Sequence, residues 1–126
     1  MKRFILLLIA IYALLGITSM HHAKDEPVRA WTKKDSKAYA RDKLLAWEEN
    51  QYRCLDKLWS KESNWRPEAY NNHKVMGRNA GGIPQILGMS PKTAPTEQID
   101  RGIAYIIYRY GTPCMAWKFH NRKGWY

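Results

Sequence analysis

Several things are scarce in this chain. It has no Cys-x-x-Cys pair and no His-x-x-x-His pair, and only two cysteines and four histidines in 126 residues. Neither spacing nor partner residues point to a metal ion, so no metal and no cofactor are expected. No repeat, low-complexity tract or second domain is visible, and the length suits one small domain. Acids are few, 11 against 21 Lys and Arg, giving a formal charge of +10. What is plentiful is indole and phenol: six Trp and eight Tyr. Aromatic faces stack on sugars and on bases, so the balance fits a polyanion or a sugar polymer as partner. It equally fits an ordinary core beneath a solvated Lys/Arg face.

The one long apolar run is Phe4 to Ile17, preceded by Lys2 and Arg3 and followed by Thr18 and Ser19. A charged start and a short apolar segment read as a secretory signal over residues 1–23, with Ala23 at a poorly marked cleavage point. The run is short for a bilayer span of about 20 residues, and a retained anchor is the alternative. Export makes Cys54 and Cys114 a disulfide, the alternative being two buried free thiols.

Polar residues around Pro27 read as a linker over 24–34, and residues 35–126 as the domain. Asp35 and Ser36 are expected to cap a helix running to about Trp47, with Tyr39, Leu44 and Trp47 near one face. Asn50 would cap a second helix over 51–61, where Leu55, Leu58, Trp59 and Glu62 follow helical spacing. Residues 64–90 carry Pro67, Pro84, Gly77, Gly81, Gly82 and Gly88, and read as loop with a short hairpin around 71–82. A helix over 97–110, started by Thr96, aligns Ile99, Ile103, Ile106 and Tyr110, with Ala104 and Ile107 broadening the face. Gly111 fits its C-terminal cap and Pro113 its stop, before a short helix over 114–120. The fold class is mostly α with one long central loop.

Glu62 is the position richest in chemistry. A carboxyl in the last helical turn, in line with Leu55 and Trp59, is expected to be raised in pKa by burial. The negative end of the helix dipole acts in the same sense. A carboxyl still protonated near neutral pH is what protonation of a glycosidic oxygen requires. Taken by itself, a helix-end glutamate is more often solvated or paired with a neighbour such as Lys61 or Arg66.

Three blocks surround it. The first is Cys54, Leu55, Leu58, Trp59, Lys61, Glu62, Ser63 and Trp65; the second is Gly82, Ile83, Pro84 and Gln85. The third runs from Gly102, Tyr105, Ile106, Arg109, Tyr110, Gly111, Pro113 and Cys114 through Ala116 and Trp117 to Gly124, Trp125 and Tyr126. In this order and spacing they resemble the lytic transglycosylase and goose-type lysozyme branch of the lysozyme-like superfamily, over residues 54–126. The resemblance implies an α+β lysozyme-like domain around a glycan cleft, acting as a monomer on peptidoglycan strands outside the cytoplasm. It implies that Glu62 is the single catalytic acid and base. Gly82 and Gln85 would line the cleft opposite, Ile83 would touch sugar, Tyr105 would face Glu62, and Ser63 would orient an N-acetyl group. Tyr105 as an ordinary core tyrosine, and Trp65 and Trp117 as packing or groove walls, stand beside these roles.

Most glycosidases need two acids, and neither Glu68 nor Glu97 lies in a family motif. A lone glutamate suits formation of a 1,6-anhydro ring, and equally a hydrolytic muramidase in which water takes the intermediate. The loop over 71–81 departs from the family pattern with His73, Lys74, Met76 and Arg78, and the stretch over 86–96 is shorter. His73 and His120 read as surface residues. A wall-binding module without activity, and a cationic membrane-active or nucleic-acid-binding protein, are the readings from other classes. No nucleic-acid motif occurs, and the basic residues are spread along the chain.

Overall fold

Residues 29–126 are described by a computed structural model; the leader expected over 1–23 and the first part of the linker lie outside the described residues. The first helix, α1, spans Lys33–Lys43. Its cap is Thr32 rather than Asp35 or Ser36: the Thr32 side chain accepts from Asp35 N–H while the Asp35 side chain accepts from Thr32 N–H. This reciprocal capping box satisfies two donors that a helix start otherwise leaves open. Ser36 is instead fully buried, and its Oγ accepts from Trp31 Nε1 at 2.8 Å. The helix ends before Leu44, so the buried Leu44 and the half-buried Trp47 reach the core from the following turn.

Helix α2 spans Glu49–Glu62, starting two residues earlier than its spacing predicts; Glu48 occupies the cap position without a side-chain bond, so Asn50 is not the cap. Its inner face is Tyr52, Leu55, Leu58 and Trp59. Beyond it, Asn64 (φ 52°) and Trp65 (φ 60°) take left-handed conformations that turn the chain sharply. Trp65 is consequently fully buried, edge-on to Trp59, with its Nε1 donating to Asp56.

The strands β1 (Ala80–Gly81) and β2 (Ile86–Leu87) are antiparallel, pairing Ala80 with Leu87 and Gly81 with Ile86. Gly81 also bridges back to Tyr70, and Val75 to Arg78. The hairpin expected around 71–82 is thus only half the device, because residues 80–81 sit between two short partners. A side chain at Gly81 would place Cβ 2.1 Å from the Met89 carbonyl oxygen, so only glycine permits this close pass.

Helix α3 spans Pro95–Tyr110 and starts earlier than Thr96 because Pro95, with its fixed φ and missing N–H, suits the first turn. Its buried face is Gln98, Ile99, Gly102, Ile103 and Ile106. Ala104 and Ile107, expected to widen that face, are exposed. The stripe lies on the other flank, where Gly102 lets Trp59 and Pro84 approach the helix. Gly111 (φ 84°) closes α3 as expected. Pro113 begins α4, Pro113–Lys123, longer than the expected 114–120 and capped by the Thr112 side chain on Met115 N–H.

The result is mostly helical with one two-stranded sheet. One core joins Leu55, Leu58 and Trp59 of α2 with Ile99, Ile103 and Ile106 of α3, Ile83 of the turn, and Tyr126. Helix α2 packs most extensively on α4. A disulfide between Cys54 and Cys114, with Cα atoms 4.9 Å apart, joins them at their N-terminal halves. Among the described residues, no helix is long and apolar enough to cross a membrane.

Candidate active site

Glu62 closes α2, one turn beyond Leu58 and Trp59, so the periodicity that buries those two leaves its carboxyl at the core's edge. Its side chain is 16% exposed. Burial pushes its pKa up from 4.5 to about 7, because a carboxylate loses hydration that no cation replaces. The carboxyl is therefore mostly protonated below neutral pH and ionises just above it.

Its nearest polar partner is His120 on α4, with Nε2 3.0 Å from Glu62 Oε1 and a side chain only 14% exposed. His120 is therefore not the surface residue its sequence position suggests. Its imidazole lies parallel to the Trp117 ring, 5.8 Å between centroids and 11° between planes. Burial, and secondarily the positive charge of Lys61, holds its pKa below the usual histidine value. Both members of the pair are thus biased toward their uncharged forms.

Ser63 couples this corner to the Gly82–Gln85 turn. Its hydroxyl is buried and donates to the Ile83 carbonyl at 2.7 Å. Ile83 N–H donates to Gln98 Oε1 (2.8 Å), and Gln98 Nε2 donates to the carbonyls of Pro67 (3.0 Å) and Thr93 (2.9 Å). Gln85, at φ 51°, donates its side-chain amide to Gly82 (2.9 Å) and Ala69 (3.2 Å). Gly82 has φ +73°, and a Cβ there would lie 2.4 Å from Gln98 Oε1. Finally, the Tyr126 hydroxyl accepts from Trp59 Nε1 (2.9 Å) and donates to the Pro84 carbonyl (2.6 Å). The turn's polar groups are held from three sides, which fixes its position against the end of α2.

Of the residues singled out from sequence, Ser63, next to Glu62 in the chain, is bonded to Ile83, and Gln85 to Gly82 within the same turn. Ser63 and Ile83 are buried, and the Ser63 hydroxyl and Gln85 amide are engaged by backbone carbonyls, so they shape the site instead of offering free groups to a ligand. Tyr105 is half-buried, its hydroxyl accepting from Arg109 and its ring packed edge-on to Tyr110 and Tyr126. The tyrosines on which the Glu62 charge acts are Tyr110 and Tyr126; burial raises both, and a Glu62 carboxylate adds to the rise. Arg109 lies over the rings of Tyr105, Tyr110 and Trp125, 5.1–5.8 Å from their centroids.

No family model, curated protein or solved structure matches this chain. A cavity of about 510 Å³ lies along α2 between Lys57, Ser60, Lys61 and Trp117, so its wall includes the indole that carries His120. A second, of about 360 Å³, is lined by Tyr70, Arg78, Met89 and Lys92 beside the strands. Glu62 lines neither of these two cavities. Among the described residues, no group of three His, Cys, Asp or Glu side chains is placed to hold a metal ion.

His120, Gln98 and Tyr126 were not assigned roles from sequence. For His120 a signal existed. With Cys54 bonded to Cys114, the 1.5 Å helical rise places Glu62 about 12 Å and His120 about 9 Å beyond the bridge if the helices run the same way. Nothing local to residue 120 carries that information.

Proposed function

We propose that residues 35–126 form a lysozyme-like peptidoglycan lytic transglycosylase in which Glu62 serves alone, first as acid and then as base. The observation that carries the reading is the Glu62 carboxyl itself: nearly buried, raised to about 7, and next in the chain to Ser63, whose hydroxyl is bonded to the Gly82–Gln85 turn. A carboxyl that ionises near neutral pH can release and regain a proton in one turnover. The other acids support a single-carboxylate chemistry. Among the described residues, Asp35 pairs with Arg29, Asp56 with Lys37, Glu49 with Arg41, Asp100 with Lys43 and Glu97 with Arg101, while Asp42, Glu48 and Glu68 are exposed.

In this mechanism Glu62 donates its proton to the oxygen linking N-acetylmuramic acid to N-acetylglucosamine. The acetamido oxygen of the muramyl unit attacks its C1 as that bond breaks. The Glu62 carboxylate then takes the proton of the same sugar's 6-hydroxyl, O6 bonds to C1, and the acetamido group is released. The glycan is cut and a 1,6-anhydro end forms with no net uptake of water. The substrate is an anionic wall polymer, which the charge of +10 favours at low salt. The Cys54–Cys114 bridge is compatible with work outside the cytoplasm. The protein acts as a monomer, secreted or held by its N-terminal apolar segment.

Purified protein incubated with cell-wall sacculi should release anhydro-muropeptides, identified by mass. Glu62→Gln should lower release by at least a hundredfold, since general acid catalysis contributes about 10²–10⁴. Products heavier by one water would assign a muramidase instead, and undiminished cleavage by the Gln variant would remove Glu62 from the chemistry.

A further inference from the structure

The proposed chemistry uses one carboxyl, yet a second titratable side chain touches it. His120 Nε2 lies 3.0 Å from Glu62 Oε1, on a different helix, and nothing in the reaction as written requires it. The imidazole is not there by chance of a long, loose side chain. It is clamped parallel to Trp117 and is as buried as the glutamate, so its position is set by packing.

We propose that His120 is a positioning residue for Glu62: as a neutral imidazole protonated on Nε2, it donates to Oε1 and leaves Oε2 as the oxygen that gives and regains the proton. The inference rests on the transglycosylase reading for the identity of the reaction, and on the observed contact for the pairing. Its logic is geometric. A free carboxyl rotates about its last bond and presents either oxygen; one fixed donor selects which oxygen remains free to exchange a proton. The donor is useful in both half-reactions. Before transfer it binds the carbonyl oxygen of the acid, and after transfer it binds the carboxylate. The proton leaves Oε2 for the glycosidic oxygen and returns to Oε2 from the 6-hydroxyl, while the Nε2 proton stays on His120 throughout.

The charge state of the imidazole matters. An imidazolium 3 Å away would stabilise the carboxylate and drain the acid form before substrate arrives. Burial and, secondarily, Lys61 on α2 oppose that charge. On the α3 side and at the chain end, the phenols of Tyr110 and Tyr126 lie within the field of Glu62. They are neutral in the working range, so none favours an imidazolium.

Two variants separate a donor from a ring. His120→Phe keeps an aromatic ring for Trp117 but removes the donor; His120→Gln removes the ring but keeps an amide donor near the position of Nε2. In the full chain, carbon-detected NMR titration should show the Glu62 carboxyl shifted upward in the Phe variant and near wild type in the Gln variant. On glycan strands, kcat should fall about tenfold in the Phe variant with KM little changed, and recover to within about threefold in the Gln variant. An unshifted Glu62 titration in the Phe variant, or equal loss in both, would overturn the proposal. If the Phe variant does not fold, His120→Asn, whose amide is too short to reach Glu62, replaces it with the same expectations. Wild-type protein that cuts no glycan at any pH would refute the transglycosylase reading, while the NMR titration would still decide the pairing.

Discussion

At the scale of single residues, Glu62 trades stability for chemistry. Its folded pKa is raised above 4.5, to about 7, so the folded state holds the proton more tightly than the unfolded chain does. Below about pH 4.5 both states are protonated and nothing is lost. As pH rises toward 7 the unfolded chain gives up its proton first, and folding stability declines. Above 7 the folded protein carries a nearly buried carboxylate, at a cost on the order of 2 kcal/mol after allowance for its partial exposure. Glu62→Gln should therefore be more stable than wild type by about that amount at pH 8, with the gap closing below pH 4.5. Urea denaturation of both proteins across pH 4–8 reads the difference directly; a pH-independent gap would mean that the carboxyl is not held in its acid form by burial. Asp35 shows the opposite case. Its hydrogen bonds from Arg29 and Thr32 push it well below the usual carboxylate range, and its carboxylate returns a bond to the N–H of the cap residue Thr32.

At the scale of elements, the contact of α3 with α2 depends on a missing side chain. A Cβ at Gly102 would lie 2.7 Å from the Trp59 ring and 2.8 Å from Pro84 Cβ. Alanine in an exposed helix interior would gain about 1 kcal/mol over glycine. Here the crowding falls on a fully buried indole, itself held by Tyr126, and on the turn beside Glu62, and overpacking costs about 1–3 kcal/mol or more. The overpacking term is expected to win. Gly102→Ala should lower stability by about 1–2 kcal/mol, measurable by thermal unfolding, and activity should fall further because the turn is displaced. A stabilised variant would mean that Trp59 yields easily. Of the elements, the four helices among the described residues were legible from apolar spacing and from Gly and Pro punctuation, with ends displaced by two to four residues at several points. The displacements have identifiable causes: Thr32 takes the cap from Asp35, and Pro95 and Pro113 act as helix starters. The reading failed where spacing cannot choose between flanks, as at Ala104 and Ile107. Which side of α3 is buried depends on where Trp59 and Pro84 lie.

At the scale of the whole molecule, the bridge between Cys54 and Cys114 closes a 60-residue separation that contains the loop, both strands and all of α3. Restricting the unfolded chain in this way stabilises by roughly 4 kcal/mol. The double variant Cys54→Ser with Cys114→Ser should lose most of that. It should also lose activity before it unfolds, because α2 and α4 carry Glu62 and His120 downstream of the bridge. Thermal melts read beside glycan cleavage would test this; unchanged activity in a destabilised variant would mean that core packing alone holds the two helices in register.

Sequence by itself determined a mostly helical domain, the cysteine pair, and a glutamate in line with the core face of α2. These follow from periodicity, composition and residue chemistry within one segment. Tertiary structure decided what surrounds that glutamate. It buried Ser63 and Ile83, engaged the Gln85 amide, paired Tyr105 with Arg109, and brought His120 to Glu62 across 58 positions of chain. The physical reason is that burial and hydrogen-bond partners between distant residues are set by how helices pack, and no local pattern records the packing.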